Sequence, residues 1–156
     1  MQTRATIKVD PEISNFLTLI NNYRRQNGAG PLSISVALTN AAQWKSTDMA
    51  NNNYFGHNDQ NGRTFSARLA AFGYNYQTLH AAVGENIAAG PPGAQAEFDG
   101  WRTACDPDET GRCTYAHNVN MLNPIFKAIG IARAYNANST YKWYWTTDFG
   151  SYVQPS

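Results

Sequence analysis

The sequence predicts a single α+β domain in which helices come first and a β-hairpin closes the chain. Across the first two-thirds of the 156 residues, apolar side chains recur mostly at helical spacing, three and four positions apart. Over residues 141–149 the side chains alternate with a period of two, which is typical of a strand. The length suits one domain, and 42% hydrophobic residues suffice for its core. We find no internal repeat.

The first two predicted helices have clear start and stop residues. Asp10 is a helix cap and Pro11 suits the first helical position, and the helix runs until Asn27 precedes a glycine. Ser35 caps a second helix that ends in the asparagine triplet at 51–53. The predicted apolar faces of the two helices consist of Ile13, Phe16, Leu17, Ile20, Tyr23, Leu38, Ala41, Ala42 and Met49.

The later elements are shorter. Thr64 caps a third helix, which Gly73 ends. Residues 83–89 are apolar except for Glu85 and Asn86, and both a buried strand and a helical turn fit them. The remaining predictions are a helix from about Ala94, a polar loop over 105–115, a short helix over 117–123 and a strand over 129–135.

Composition narrows the possible partners. Twelve basic against 11 acidic residues give a net charge of +1, which excludes the basic surface that binds nucleic acid. No apolar run approaches the roughly 18 residues that span a bilayer, and the N-terminus lacks the apolar core of a signal peptide. Sparse charge, many asparagines and 13% aromatic residues favour an extracellular protein. We expect a secreted monomer from which any export signal has been removed.

Few side chains can carry chemistry. The three histidines are His57, His80 and His117, and no two lie within ten residues of each other. There is no H-E-x-x-H or C-x-x-C metal motif, no G-x-S-x-G nucleophile turn and no glycine-rich phosphate loop. Each histidine therefore also fits a partly exposed imidazole that is hydrogen-bonded to the backbone.

Glu85 lies in one of the most apolar stretches of the chain. A carboxylate at such a position is expected to be at least partly buried. A buried carboxylate requires a cation, several N–H donors or a metal ion. Backbone N–H groups or a nearby arginine are the simplest partners, and a functional site is the alternative.

The two cysteines, Cys105 and Cys113, bracket seven polar residues. In an exported protein this spacing favours a disulfide that closes a surface loop and adds roughly 2–3 kcal/mol of stability. Two alternatives remain open at this point, a zinc site that includes His117 and a catalytic cysteine. The same loop contains three acids that are either solvated or able to bind calcium: Asp106, Asp108 and Glu109.

Several motifs in order resemble the CAP superfamily, which comprises cysteine-rich secretory proteins, antigen 5 and plant pathogenesis-related proteins and is also called the SCP domain. The similarity covers about residues 12–150 and is strongest to bacterial members. The matching segments are YFGH at 54–57, NGRT at 61–64, GENIA at 84–88, DGW at 99–101, AHNVNML at 116–122 and WTTDFG at 145–150.

The resemblance implies a three-layer α-β-α sandwich around a central antiparallel sheet, with the domain over 11–152 between tails at 1–10 and 153–156. It implies a cleft where His57, Glu85 and His117 occupy three positions of a His/Glu set that holds zinc or another divalent cation in some members. The fourth position is Ala104 here. Glu97 lies one turn before a matching tryptophan and is not an aligned replacement.

The resemblance also implies two competing functions. The first is a secreted binding module for a lipid, glycan or protein, with metal optional. The second is a hydrolase in which a metal-held water, or Glu85 as base, attacks an ester or peptide. The cysteine loop inserts about ten residues before His117 relative to bacterial members, and we expect it to form a disulfide-closed flap at the rim of the cleft.

Overall fold

A computed structural model describes residues 10–155 of the chain. The predicted tail at 1–10 lies outside these residues except for Asp10. The elements in chain order are α1 (Pro11–Gln26), β1 (Ser33–Ile34), α2 (Val36–Asn52), α3 (Phe65–Ala71), β2 (Val83–Ala89), α4 (Ala94–Thr103), α5 (Ala116–Leu122), β3 (Ala128–Tyr135) and β4 (Trp143–Gly150). Within residues 10–155, every helix is too short or too polar to cross a membrane.

The predicted helix caps are confirmed. The side chains of Asp10, Ser35 and Thr64 each accept a hydrogen bond from a backbone N–H two or three residues further on. Each bond satisfies one of the donors that the first turn of a helix leaves free. The second helix ends at Asn53, which adopts the left-handed conformation with φ at 52°. These local features explain why the predicted starts of α1, α2 and α3 agree with the structure.

The sheet has the strand order β1-β3-β4-β2. The segment at 83–89 is a strand rather than a helical turn, and it pairs with β4 along its whole length. Strand β4 lies between β3 and β2 and pairs antiparallel with both, as expected. The two-residue strand β1 pairs in parallel with β3, which makes the sheet mixed rather than wholly antiparallel.

Helices cover both faces of the sheet, which confirms the three-layer architecture. On one face, α1 and α4 pack against β3 and β4 around Phe16, Trp101 and Trp145. On the other face lies α2, whose Ser46 donates a hydrogen bond to Thr146 at 2.8 Å. Strand β4 is therefore buried on both sides, although its alternating sequence suggested one solvated face.

Arg24 fixes the position of α5 from within the core. Its guanidinium is fully buried and donates hydrogen bonds to four backbone carbonyl groups. Two of these belong to Met121 at the end of α5 and to Phe126 just before β3. A buried charge is tolerated when its donors are satisfied in this way. The bonds tie α1 to the helix that carries His117.

Gly130 allows α2 to approach the sheet closely. A Cβ atom at this position of β3 would lie 2.1 Å from the carbonyl carbon of Leu38 and 2.3 Å from its oxygen. Backbone atoms of a helix cannot move aside as a flexible side chain can. The packing distance between α2 and β3 therefore requires a residue without a side chain.

We predict that Gly130→Ala lowers the free energy of unfolding by roughly 2–4 kcal/mol, because α2 must shift away from the sheet. Gly100→Ala is the matched control, since an added Cβ at this position of α4 meets no atom within 4 Å. It should be neutral or stabilising by up to about 1 kcal/mol. Urea denaturation measures both. Equal stability of the two variants would contradict the packing argument.

Candidate functional site

Glu85 is held between an arginine and a histidine. Its Oε1 lies 3.0 Å from Nδ1 of His57, and its Oε2 accepts a hydrogen bond of 2.5 Å from Nη1 of Arg68. Arg68 also donates to the backbone carbonyl of His57 at 2.6 Å. Because an ionised carboxylate only accepts, Nδ1 of His57 donates the hydrogen bond to Glu85. Glu85 thus has two side-chain partners, Arg68 and His57. The arginine was one of the partners expected from the sequence.

The other side of Arg68 contacts a second buried carboxylate. Its Nε lies 3.1 Å from Oδ1 of Asp59. Asp59 also receives Lys45 from α2 at 3.2 Å and Arg63 at 2.7 Å. The side chains of Lys45 and Arg68 have no exposed surface. Two carboxylates and three cations therefore form one connected network beneath the loop that carries His57.

Asp148 is a member of this cluster that the sequence analysis missed. It stands opposite Glu85 in the register of β2 and β4 and is fully buried. Its carboxyl oxygens receive no N–H or hydroxyl donor among residues 10–155, and the side chain shares a hydrogen bond with Glu85 when one of the two acids is protonated. An aspartate inside a predicted strand is unusual, and this position was the signal in the sequence that could have revealed it.

The two neighbouring carboxyl groups titrate in opposite directions. Burial acts to raise the pKa of Glu85, but the hydrogen bond to His57, the adjacent Asp148 and the Arg68 guanidinium lower it overall. Burial, together with the charge of Glu85, raises the pKa of Asp148 well above its ordinary value. Asp148 therefore keeps its proton more readily than Glu85 does, and the charge of Glu85 balances Arg68.

His117 is held by a different carboxylate. Its Nδ1 lies 2.7 Å from Oδ1 of Asp106, and its backbone N–H donates to Oδ2 of the same side chain at 3.1 Å. The imidazole stacks on Trp101 with the rings nearly parallel, at 6.2 Å between centroids. Asp106 belongs to the inserted loop, so this loop supplies the group that orients His117.

Cys105 and Cys113 form the expected disulfide. The zinc and catalytic-cysteine alternatives are therefore wrong, because both sulfur atoms are bonded to each other. Inside the loop, Oδ1 of Asp108 accepts hydrogen bonds from Thr110 and from the backbone N–H of Arg112. Asp108 thus closes a turn.

The predicted trio does not form one compact metal site. His57 and Glu85 are in contact, whereas His117 pairs with Asp106. Within residues 10–155 there is no group of three or more His, Cys, Asp or Glu side chains that could hold a metal ion. Both oxygens of Glu85 are already bonded to His57 and Arg68, so the residues present do not fit a three-ligand zinc site.

An apolar groove of about 380 Å³ lies beside His117, between β2 and α4. Phe55 and Tyr141 form its rim, with their ring centroids 6.4 Å apart, and both side chains are about half exposed. The floor includes Ile87 and Trp101, which are linked by a hydrogen bond of 3.2 Å from the indole N–H to the Ile87 carbonyl.

Glu97 is a buried acidic residue in the otherwise mostly apolar lining of the groove. It lines the groove from α4 and is only 1% exposed. Its Oε2 has no hydrogen-bond partner among residues 10–155. Burial raises the pKa of Glu97 to about 8. The side chain is therefore uncharged at neutral pH.

A family model described as the cysteine-rich secretory protein family, CAP, matches residues 17–149. The Bacillus subtilis protein YkwD is 30% identical over 129 residues, which cover 83% of this chain and 45% of YkwD. An extracellular protein from Bacillus anthracis that contains an SCP domain is 25% identical, with a TM-score of 0.70 over 89% of this chain and 40% of that one. This chain thus spans less than half of either Bacillus protein.

An outer surface protein from Borrelia burgdorferi shares the fold at 15% identity. Its TM-score is 0.75, and the alignment covers 97% of this chain and 100% of the Borrelia chain. At this identity the similarity concerns the fold alone. The helices and strands described above are therefore arranged in the same way in proteins of quite different sequence.

We predict that Arg68→Met lowers the free energy of unfolding by roughly 3–5 kcal/mol, because Glu85 and Asp59 lose a buried counter-ion. Arg102→Met is the control, since Arg102 pairs with Asp99 at the exposed surface and should change stability by less than about 0.5 kcal/mol. Chemical denaturation measures both variants. If too little of the Arg68→Met variant folds to be measured, Arg68→Lys is used in its place. Arg68→Lys should lower the free energy of unfolding by less, because it keeps the positive charge. A loss no larger than that of Arg102→Met would contradict the network.

We predict that Glu97→Gln becomes progressively more stable than the wild type as the pH rises. The unfolded chain releases the Glu97 proton near its ordinary pKa of 4.5, whereas the folded protein holds it up to about 8. The wild type therefore loses stability between these pH values, by roughly 3–5 kcal/mol in total. Denaturation of both proteins from pH 4.5 to 8.5 measures the difference. Asp148 titrates in both proteins, so its contribution to the pH dependence cancels when the two free energies of unfolding are subtracted. A difference that does not change with pH would refute the prediction.

Proposed function

The chain belongs to the cysteine-rich secretory protein (CAP) family, and we propose that it is an extracellular binding domain that holds a small, largely apolar ligand in the groove between β2 and α4. The observation that carries this proposal is the composition of the groove. Aromatic and aliphatic side chains form its rim and floor, and polar groups are few. Sites for small molecules are typically built in this way.

The exposed rim supports the proposal. Phe55 and Tyr141 contact each other and yet leave about half of their surfaces in water. Such adjacent apolar surfaces lose unfavourable hydration when a ligand covers them. His117, fixed by Asp106 and stacked on Trp101, provides a polar wall at one end. A ligand in the groove would therefore contact aromatic rings at the rim and an oriented imidazole at one end.

The alternative function, hydrolysis, has less support. A general base should have a pKa near the working pH and a free oxygen. Glu85 has a lowered pKa, and its two oxygens already bond to His57 and Arg68. The cysteines are joined in a disulfide and supply no thiolate nucleophile. In our proposal the His57–Glu85 pair stabilises the loop that bears Phe55.

The extracellular location is part of the proposal. The disulfide between Cys105 and Cys113 supports it, because such bonds persist in oxidising compartments. The similar Bacillus anthracis protein is described as extracellular. A sparse surface charge, with only 15% charged residues, fits the same location.

We predict that phenethyl alcohol, a small neutral aromatic probe, binds saturably and shifts the NMR signal of the Trp101 indole N–H. Gly100→Trp should weaken binding at least tenfold, roughly the effect of filling a pocket, because Gly100 lines the groove and has open space above it. Asn40→Trp adds the same bulk on α2, in a separate groove, and should leave the affinity unchanged.

His57→Ala and added EDTA or zinc distinguish binding from metal-dependent chemistry. The proposal expects added EDTA or zinc to leave the probe affinity within about twofold. His57→Ala should retain saturable binding, since His57 does not line the groove, with a moderate loss of affinity because the loop that bears Phe55 loses its bond to Glu85. Two results would overturn it. The first is no saturable shift at Trp101. The second is hydrolysis of ester or peptide substrates that zinc restores and His57→Ala abolishes.

A further inference from the structure

Four acidic side chains are buried within residues 10–155, and three of them have a cation nearby. Asp59 and Glu85 form salt bridges, and Asp148 stands opposite Glu85, where the charge of Arg68 reaches it. Glu97 forms no salt bridge and no hydrogen bond through its side chain with any of these residues. It is also the only one of the four that lines the groove.

The titratable groups on the elements around Glu97 are occupied elsewhere. On α4 itself, Asp99 and Arg102 pair with each other at the surface. The groups on the neighbouring elements have their own partners, which are Ala94 N–H for Glu12, Asn118 for Tyr23, backbone carbonyls for Arg24, Asp106 for His117, and Arg68 and His57 for Glu85. Tyr141 contributes an aromatic ring at the rim. No side chain described here is therefore positioned to neutralise Glu97.

The rest of the groove suits an organic cation. No lysine or arginine lines it within the described part of the chain, so a bound anion would face Glu97 without a counter-charge. Phe55, Tyr141 and Trp101 present aromatic rings. Aromatic faces attract ammonium groups, and the attraction increases when water is excluded. A carboxylate and three aromatic rings are a combination that recognises amines.

We propose that the ligand of the groove is an organic amine with an apolar body, whose ammonium group pairs with the side chain of Glu97 while its body packs between Phe55, Tyr141 and Trp101. This inference rests on the proposed binding function and specifies the class of ligand. On binding, Glu97 releases its proton to solvent and the ammonium supplies the missing cation. No covalent bond forms or breaks in the ligand.

Three probes of nearly equal size separate charge from shape. Phenethylamine carries an ammonium group, phenethyl alcohol is neutral and hydrocinnamate carries a carboxylate. Titrations at pH 8.5 keep the amine protonated, because alkylamines resemble lysine with a pKa of about 10. The Trp101 indole signal reports binding in the groove, and the signal of Trp44, which lines a separate groove on α2, serves as the internal control.

We expect phenethylamine to bind at least roughly tenfold more tightly than phenethyl alcohol, and hydrocinnamate to bind most weakly. Glu97→Gln preserves the shape of the side chain and should remove the advantage of the amine while leaving the alcohol within about threefold. Glu109→Gln, at an exposed position of the inserted loop, is the matched charge control and should leave all three affinities unchanged.

The outcomes distinguish the two proposals. Binding of the alcohol without any preference for the amine would overturn the amine inference and leave the groove as a binding site. An amine preference that survives Glu97→Gln would also overturn the inference, because another group would then supply the charge. If none of the three probes shifts the Trp101 signal, the proposed binding function itself fails.

Discussion

The buried guanidinium of Arg68 is the interaction on which the rest of the site depends. It joins Glu85 on β2 to Asp59 in the loop before α3, and it also bonds the backbone of His57. Removing such a cation from water is costly unless several charged hydrogen bonds compensate. Here three groups compensate: the carboxylates of Glu85 and Asp59 and the backbone carbonyl of His57. The cluster therefore fixes the loop before α3, helix α3 and strand β2 relative to one another. The orientation of His57 depends on these contacts.

Two histidines of the site are each held by a carboxylate, but the two carboxylates come from different kinds of structure. Glu85 belongs to a strand in the middle of the fold, whereas Asp106 belongs to a loop closed by a disulfide. The family pattern places its second glutamate at the position of Ala104. Asp106, two residues later, provides a carboxylate to His117 in this chain. The insertion thus orients one of the two histidines.

The sequence predicted the local features well because they depend on nearby residues. Caps such as Ser35 and the stop at 51–53 act within one helical turn. The family motifs group Glu85 with its partner His57, although a strand and a helical turn fit residues 83–89 equally well. The partners of Arg68, Asp148 and Asp106 were not predicted, because they lie 17 residues away, across a strand register and across an inserted loop, respectively. Tertiary pairing of buried charges leaves no periodic pattern in a sequence. The unusual positions, an acid within a strand and an acid one turn before Trp101, were the only local signals.

Glu97, a buried acid without a side-chain partner within residues 10–155, points to a ligand rather than to a role in the core. The fold neutralises Asp59 and Glu85 with three cations, so it has the means to pair its buried acids. An apolar residue at position 97 would avoid the loss of stability that burial of this carboxyl causes above its ordinary pKa. Groups kept in a destabilising state are concentrated at binding and catalytic sites. Since Glu97 also lines the groove, a partner from outside the chain accounts for both its position and its charge.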